Sequence, residues 1–554
     1  MALKHGETFL RRLVPAACLL TLILAVFSAG AEMRPVSGAP PEESIAAQGK
    51  ALREFDGLII DSIVIDNRNI FDTDDPEFDH FFFRWANALH IVTRAAVIRR
   101  EVLLKEGGVF SSQLAAETAR NLRSRYSLYN AWIEVDVLPN GHLVMTVVTI
   151  DVWSISGGLT LYSEGGETDV ELGFKEDNFL GMNQFVRADY VFQESDRNYG
   201  TFEFRDPWSF GYPVRLSLAY SGNPFDTRRS IEIERPFYNL SQNWAFSFGV
   251  FDRGSRREQF DDDLLVAQSE NEGLIVRAAD MLRFGAYQSK IGPELEYDYR
   301  DERTYNRQIF SGSSVVFPED SVMHRLRAGL FFENVDFVTA RRINGFSFIE
   351  DITLGLTAKA SVRRAFEPGF DNHIYDQALL EFSSGFRFGH HLFLLNSDNG
   401  ITYRGTSEIR RVNLVALRYY FNRIRWLTLA ANGSFVRDWR EDNSARLVLG
   451  GKSGLRGYRT EFQTGDRMLR FNFEGRFFPN IELLSVIFGG AAFVDLARTY
   501  KPDESFTFKD LEIASGIGLR ISFEKSSRSR IVRIDLARDR DGEIGLSVGT
   551  GQYF

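Results

Sequence analysis

Ten residues near the C-terminus, Leu449-Gly450-Gly451-Lys452-Ser453-Gly454-Leu455-Arg456-Gly457-Tyr458, put one arginine and one tyrosine on a glycine-rich loop. Two strand-like stretches carrying acidic residues follow it. A guanidinium offers a planar fork of donors that two carboxylates can grip. Gly450, Gly451, Gly454 and Gly457 let such a loop turn tightly against a wall. This is anchoring chemistry, and the bond-making alternatives are weaker. His390-His391 would face opposite ways on a strand, so the two rarely reach one metal ion. Asp72-Thr73-Asp74-Asp75 and Asp261-Asp262-Asp263 lack the spacing of a calcium loop and read as solvated acidic loops. Gly545-Leu546-Ser547-Val548-Gly549 has the G-x-S-x-G form but lies in an alternating strand-like stretch with no helix after it, so an α/β serine hydrolase is not supported. No catalytic residue, metal or cofactor is expected.

The elements around the loop decide what it anchors to. Phe471, Phe473 and Phe477 share one strand parity, and Arg470, Asn472, Glu474 and Arg476 share the other, so Glu474 should point away from the apolar face. The same alternation sets Val214, Leu216, Leu218 and Tyr220 against Arg215, Ser217 and Ala219. It sets Val532, Ile534 and Leu536 against Arg533 and Asp535, and Ile544, Leu546, Val548 and Thr550 against Glu543, Gly545, Ser547 and Gly549. A β-sandwich also alternates but uses about 100 residues, whereas this pattern runs from about Ser154 to Phe554. Aromatics make up 14% of the chain, with 49 Phe and 19 Tyr, and no run of apolar residues after the N-terminus is long enough for a membrane helix. These features predict a mainly β fold with an antiparallel transmembrane β-barrel over 154–554. At about 25 residues per strand plus connection it holds roughly 16 strands, and closure leaves no free edge in lipid. The formal charge of −10 excludes a broad attraction to nucleic acid.

The N-terminus reads as an export signal over 1–31: Lys4, Arg11 and Arg12, an apolar run from Leu13 to Phe27, then Ala29-Gly30-Ala31 as a cleavage site. The single cysteine, Cys18, lies inside that run. A lipoprotein signal at Cys18 is the rival reading, opposed by the apolar residues that continue beyond it. Residues 32–57 are expected as a tether or short helix, with Ile45, Leu52 and Phe55 as the apolar side of a helix over Glu42 to Phe55. Over 58–153 the texture changes. A strand from Leu58 to Arg68 precedes a helix from Thr93 to Leu104, which Gly107-Gly108 breaks. Ser111 or Ser112 caps a second helix to about Tyr126. Two strands follow, Ala131 to Leu138 and His142 to Trp153, joined by Pro139-Asn140-Gly141.

A β-α-α-β-β unit in front of a large barrel resembles the polypeptide-transport-associated (POTRA) domain. The barrel resembles that of the outer-membrane assembly and translocation superfamily, the BamA/TamA type, a bacterial surface antigen barrel. The family motif Val/Leu/Ile-Arg-Gly-Tyr/Phe matches Leu455, Arg456, Gly457 and Tyr458. The resemblance implies that the loop around 440–466 folds back into the lumen. It also implies that an acidic residue on each of the next two strands, Glu474 and Asp495, holds the arginine. The C-terminal strand carries an imperfect assembly signal: Ser547, Gly549 and Phe554 fit, but Gln552 stands where an apolar residue is usual.

What the resemblance implies for function is protein insertion or polypeptide translocation in a bacterial outer membrane, with the N-terminal domain in the periplasm and no nucleotide or metal. Unfolded clients would add as a strand to the POTRA-like sheet, for which Ala131 to Leu138 is one edge. They would leave through the lumen or through the seam of first and last strands, where Gly545, Gly549 and Gly551 weaken pairing; packing and curvature are the other reading of these glycines. Partners would be outer-membrane or secreted polypeptides and outer-membrane lipid, with accessory periplasmic proteins or lipoproteins open and no nucleic acid. Lipid export, a passive porin and an outer-membrane barrel enzyme are the alternatives.

Overall fold

A computed structural model describes residues 52–554 except 77, 165–166, 194–197, 224, 262–263, 311–318, 371, 442–446, 484, 502–503, 506, 509 and 527–530. The expected signal and most of the expected tether lie outside the described residues; Leu52–Phe55 forms a short 3-10 turn. From Ile155 to Thr550 the strands follow one another in one sheet whose order closes into a barrel. Leu447–Leu449 and Gln463–Gly465 stand apart and pair with each other. Among the described residues the closed order contains twenty strands of seven to twenty-one residues, plus the two-residue strand Phe284–Gly285. The expected sixteen was too low because connections are shorter than assumed: Arg215–Asn223 is followed almost at once by Asp226–Arg235.

The chain divides into two compact units, one of the described residues up to Phe332 with Ala360–Gln377, the other of Glu333–Lys359 with Ala378–Phe554. The first begins with a three-stranded sheet. Strand β1 (Ile60–Arg68) runs parallel to β3 (Leu143–Asp151), which pairs antiparallel with β2 (Leu128–Val137), giving the order β1-β3-β2. Three helices separate β1 from β2: α1 (Phe81–Leu89), α2 (Ala95–Glu101) and α3 (Ser112–Arg123). Ser111 caps α3 by accepting the Leu114 N–H. Ile63, Ile98, Leu122, Ile133 and Met145 form the core. Helix α1 is one more than the sequence reading gave. Its residues, Phe-Phe-Phe-Arg-Trp-Ala-Asn-Ala-Leu, include only Arg84 and Asn87 as polar side chains, a strip too narrow to stand out as the polar face of a surface helix. Phe83 and Ala86 seat it on Ile70, Phe71 and Phe78.

Helices of this sheet domain carry buried carboxylates to turns between strands of the same unit. Glu117 accepts the Leu240 N–H at 2.7 Å and the Tyr287 hydroxyl, and burial beside that carboxylate pushes the tyrosine hydroxyl well above its ordinary range. Glu101 accepts the Trp208 indole N–H at 2.8 Å and pairs with Arg125 at 2.5 Å. Asn178, fully buried, donates to the Ile91 carbonyl at 3.1 Å and to Thr93 Oγ1 at 3.0 Å. Thr93 in turn donates its backbone N–H to Asp151 at 2.7 Å. Buried charges and amides at such junctions are costly unless paired, so these contacts fix the orientation of the domain on the turns.

Within each unit the strands keep the expected two-sided character. On Ser289–Ile309, Ile291 and Leu295 are exposed while Lys290, Glu294 and Asp298 are buried. On Arg467–Leu483, Phe473 is exposed while Asn472, Glu474 and Arg476 are buried. On Ile544–Thr550, Ile544, Leu546 and Val548 are exposed. An outer face of large apolar side chains over a polar inner face is the inverse of a soluble barrel and suits lipid.

Candidate functional site

The glycine-rich loop starts from the Leu447–Leu449 and Gln463–Gly465 ribbon and lies against a wall made by four strands: Arg467–Leu483, Val486–Tyr500, Glu512–Ser522 and Ile531–Arg538. Leu455 is fully buried with Leu449, Met468, Ala497 and Ala514. Gly457 has φ +88°, and a side chain there would bring its Cβ within 2.8 Å of Ala537 Cβ. The loop also presses on the last strand, because a Cβ at Gly545 would meet the Gly457 carbonyl oxygen at 2.4 Å. Glycine is required at both positions, for conformation at 457 and for close approach at 545.

Arg456 sits at the centre with 0% exposure. Its Nε and Nη2 donate to Asp495 Oδ2 and Oδ1, both at 2.8 Å, in the forked two-bond geometry. Its Nη1 donates to Glu474 Oε1 at 2.5 Å, and its backbone N–H reaches Asp495 Oδ2 at 3.2 Å. The guanidinium plane lies between two rings, with the Phe493 centroid at 3.5 Å and the Tyr553 centroid at 4.0 Å. Tyr553 also accepts the Gly454 N–H at 3.0 Å and donates to the Gly451 carbonyl at 3.1 Å. Tyr458 donates to the Ile513 carbonyl at 3.1 Å and accepts the Arg540 N–H at 3.2 Å.

Leu455, Arg456, Gly457, Tyr458, Glu474 and Asp495 are therefore brought together, and the knot is larger than the sequence indicated. Asp535 lies 3.6 Å from Arg456 and accepts Arg520 Nη1 at 2.6 Å. Arg476 donates from Nε to Glu474 at 2.9 Å, from Nη1 to the Ile343 carbonyl at 2.6 Å and from Nη2 to the Phe554 carbonyl at 2.9 Å. Asn472 donates to Asp495 at 2.8 Å. Three buried carboxylates thus face three buried guanidiniums, with Arg533 at the margin, 3.8 Å from Asp535. Near-neutral balance with most hydrogen bonds made is what lets so many charges stay buried. The parity of Asp535 opposite Val532, Ile534 and Leu536 was the available signal for its membership; nothing in the sequence marked Tyr553.

A second inward segment, residues 341–349, escaped the sequence reading altogether. Buried Glu350 accepts the N–H groups of Ile343, Asn344 and Gly345 at 3.0, 2.9 and 3.2 Å. Buried Glu524 accepts those of Phe346, Ser347 and Phe348 at 3.0, 3.2 and 3.1 Å. Phe346 packs edge-on against Phe478 at 4.9 Å. Arg476 links this segment to the Arg456 knot and to the C-terminal Phe554.

The remaining sequence candidates add no side chain to the knot. Gly549 faces the Arg533 guanidinium, which a Cβ would approach to 2.6 Å, and Gly551 has φ +72°, so both have packing or conformational reasons. His391 is engaged by the Tyr419 hydroxyl at 2.8 Å and His390 is exposed. The Asp72 carboxylate accepts the Asp74 N–H at 3.2 Å in its own turn, and Asp262 and Asp263 lie outside the described residues.

No protein-family model matches the chain, and no curated protein matches it. Among solved structures it is similar to BamA from Haemophilus ducreyi lacking POTRA domains 1–3, with 13% identity over 88% of this chain and 84% of that one and a TM-score of 0.35. It is similar to CdiB from Acinetobacter baumannii, with 11% identity over 90% and 74% and a TM-score of 0.41. It is also similar to CdiB from Escherichia coli, with 12% identity over 93% and 92% and a TM-score of 0.39.

Proposed function

We propose that the protein is an outer-membrane barrel that inserts or translocates polypeptides without a nucleotide or metal. The observation that carries this reading is the burial of Arg456, on the loop whose Leu-Arg-Gly-Tyr motif the resemblance singles out, between the two carboxylates that it implies. The knot makes and breaks no bonds, and its role is to hold the glycine-rich loop at one place on the wall. A passive porin needs an open lumen and has no use for two segments folded onto the same wall or for a preceding sheet domain.

Clients bind the N-terminal sheet by strand addition. The outer edge of β1 is already occupied. Ile60 N–H donates to the Gly108 carbonyl at 2.9 Å, Ile63 N–H donates to Glu106 at 3.1 Å, and Arg99 donates to the Ile63 carbonyl at 2.6 Å. The β2 edge is the more open one, with Glu134, Asp136 and Val137 exposed, although Arg123 covers the Ala131 carbonyl. Backbone pairing there gives affinity with little sequence demand. The client then passes through the lumen or along the seam near Gly545 to Phe554.

The test is reconstitution of the full chain in vesicles with an unfolded barrel protein or an extended secreted segment. Faster membrane integration, or protection of the segment from added protease, than with empty vesicles is expected. Equal rates for both client types, with free passage of small solutes, would replace this reading by the porin.

A further inference from the structure

Helix α1 presents a face that nothing among the described residues covers. Phe83 and Ala86 point into the Ile70, Phe71 and Phe78 cluster, whereas Phe81, Phe82, Trp85, Ala88 and Leu89 are exposed, Phe81 at 82%. At about 100° per residue the exposed five fall within an arc of about 120° that holds no polar side chain. Arg84 flanks that arc and is paired with Asp79. Three aromatics and a leucine left in water on a nine-residue helix are a cost that a monomeric soluble surface avoids.

The position of the helix says what covers the face. The residues just after α1 are pinned to a turn between two strands of the same unit, Glu167–Phe179 and Gln184–Phe192. Asn178 donates to the Ile91 carbonyl, and Arg94 N–H donates to the Gly181 carbonyl at 3.0 Å. Gly181 has φ +71°, and a Cβ there would meet the Val92 carbonyl oxygen at 2.7 Å, so the two segments touch backbone to backbone. On this turn Phe179 and Leu180 are exposed, as is Ile91 opposite them. The strands leading away from it carry exposed Leu172 and Phe174, and exposed Tyr190 and Phe192. The apolar arc of α1 is thus continuous, through Ile91, Phe179 and Leu180, with the apolar outer face of the strands.

We infer that α1 is an in-plane membrane anchor: its Phe81, Phe82, Trp85 and Leu89 face sits in the interfacial layer of the leaflet next to the N-terminal domain. A short helix with aromatic and leucine side chains on one face and arginine at the flank is the composition that lies at a lipid interface. Together with the Glu101 and Glu117 contacts, this gives the domain a second support and fixes the height of the β2 edge above the bilayer. The inference goes beyond the proposed transport activity and rests on the barrel lying in lipid.

The test uses the full chain carrying Cys18→Ser, with single cysteines at Phe82→Cys, Leu89→Cys, Leu172→Cys and Asp136→Cys, each labelled with an environment-sensitive fluorophore. Each is reconstituted in phosphatidylethanolamine and phosphatidylglycerol vesicles with and without nitroxide lipid. Positions 82 and 89 are expected to lose about half or more of their fluorescence to the nitroxide lipid, as the strand control 172 does, while 136 stays unquenched. Quenching at 172 with 82 and 89 behaving like 136 overturns the anchor while leaving the barrel in lipid. Blue-shifted emission at 82 and 89 without lipid quenching means that protein, a second copy included, covers the face, and overturns it too. Absence of quenching at 172 overturns the membrane reading itself, and the anchor with it. Gel mobility before and after heating checks that each variant holds a folded barrel.

Discussion

Replacing Arg456 by alanine is the sharpest perturbation of the inward loop. The side chain gives three hydrogen bonds to buried carboxylates, two to Asp495 and one to Glu474, and fills the gap between Phe493 and Tyr553. Removing one partner of a buried ion pair costs about 3–5 kcal/mol. The lower end applies here, because Glu474 keeps Arg476 at 2.9 Å and Asp495 keeps Asn472 at 2.8 Å. About 3 kcal/mol shifts the balance between docked and undocked loop by about a hundredfold. Trypsin reads that balance at Lys452 and Arg459 on the same loop, and with fast reclosing the cleavage rate follows the open population. Purified Arg456→Ala in vesicles should be cut there about a hundredfold faster than the parent. Arg456→Lys should fall between the two, since an ammonium cannot grip Asp495 with parallel bonds. Cleavage of Arg456→Ala at the parental rate, with an intact heat-shifted barrel, would refute the claim that this arginine holds the loop.

Three other outcomes are expected. Gly457→Ala forces a side chain into a positive-φ site against Ala537, at a cost of about 1–2 kcal/mol, and should raise cleavage of the same loop by about tenfold. Glu524→Gln takes a charged acceptor from the N–H groups of Phe346, Ser347 and Phe348. Their hydrogen exchange should rise by about tenfold or more with exchange in β1 to β3 unchanged, and equal rates would mean other groups hold the segment. In the N-terminal domain the Ile63 N–H, and next to it Arg99, hold the exposed Glu106 carboxyl below its ordinary value. A depressed carboxylate stabilises the fold above its unfolded pKa, and that contribution is lost as pH falls through the lower folded value. Exchange at Ile63 should therefore be slower than in Glu106→Gln at neutral pH and converge with it only in acid, below the ordinary carboxylate range.

Much of this arrangement was legible because period-two patterning is strict where one face meets lipid and the other does not. Glu474 could be assigned inward from its neighbours Asn472 and Arg476 alone, and the same logic reaches Asp535. Strand number was not legible, since it depends on connection lengths: the turn between Asn223 and Asp226 leaves no trace in the alternation. Helix α1 was missed because its exposed and buried faces are both apolar and only Arg84 and Asn87 mark the strip between them. The 341–349 segment was missed for a different reason. Its partners Glu350 and Glu524 bind backbone N–H groups, which every residue but proline possesses, so no side-chain motif identifies the bonded residues. Tyr553 is three-dimensional information of the same kind, meeting Arg456 from nearly a hundred residues away.

The central claim is that polypeptides pass along this protein, and crosslinking in cells tests it most directly. Photoreactive residues placed one at a time along Ala131 to Leu138 and along Gly545 to Phe554, with Ile60 to Ile65 on the occupied β1 edge as control, would be irradiated and the captured chains identified. Capture of nascent barrel proteins, or of one secreted partner, at both test segments and not at β1 is the predicted result. Capture at none of the three, in cells where the barrel is assembled, would contradict it.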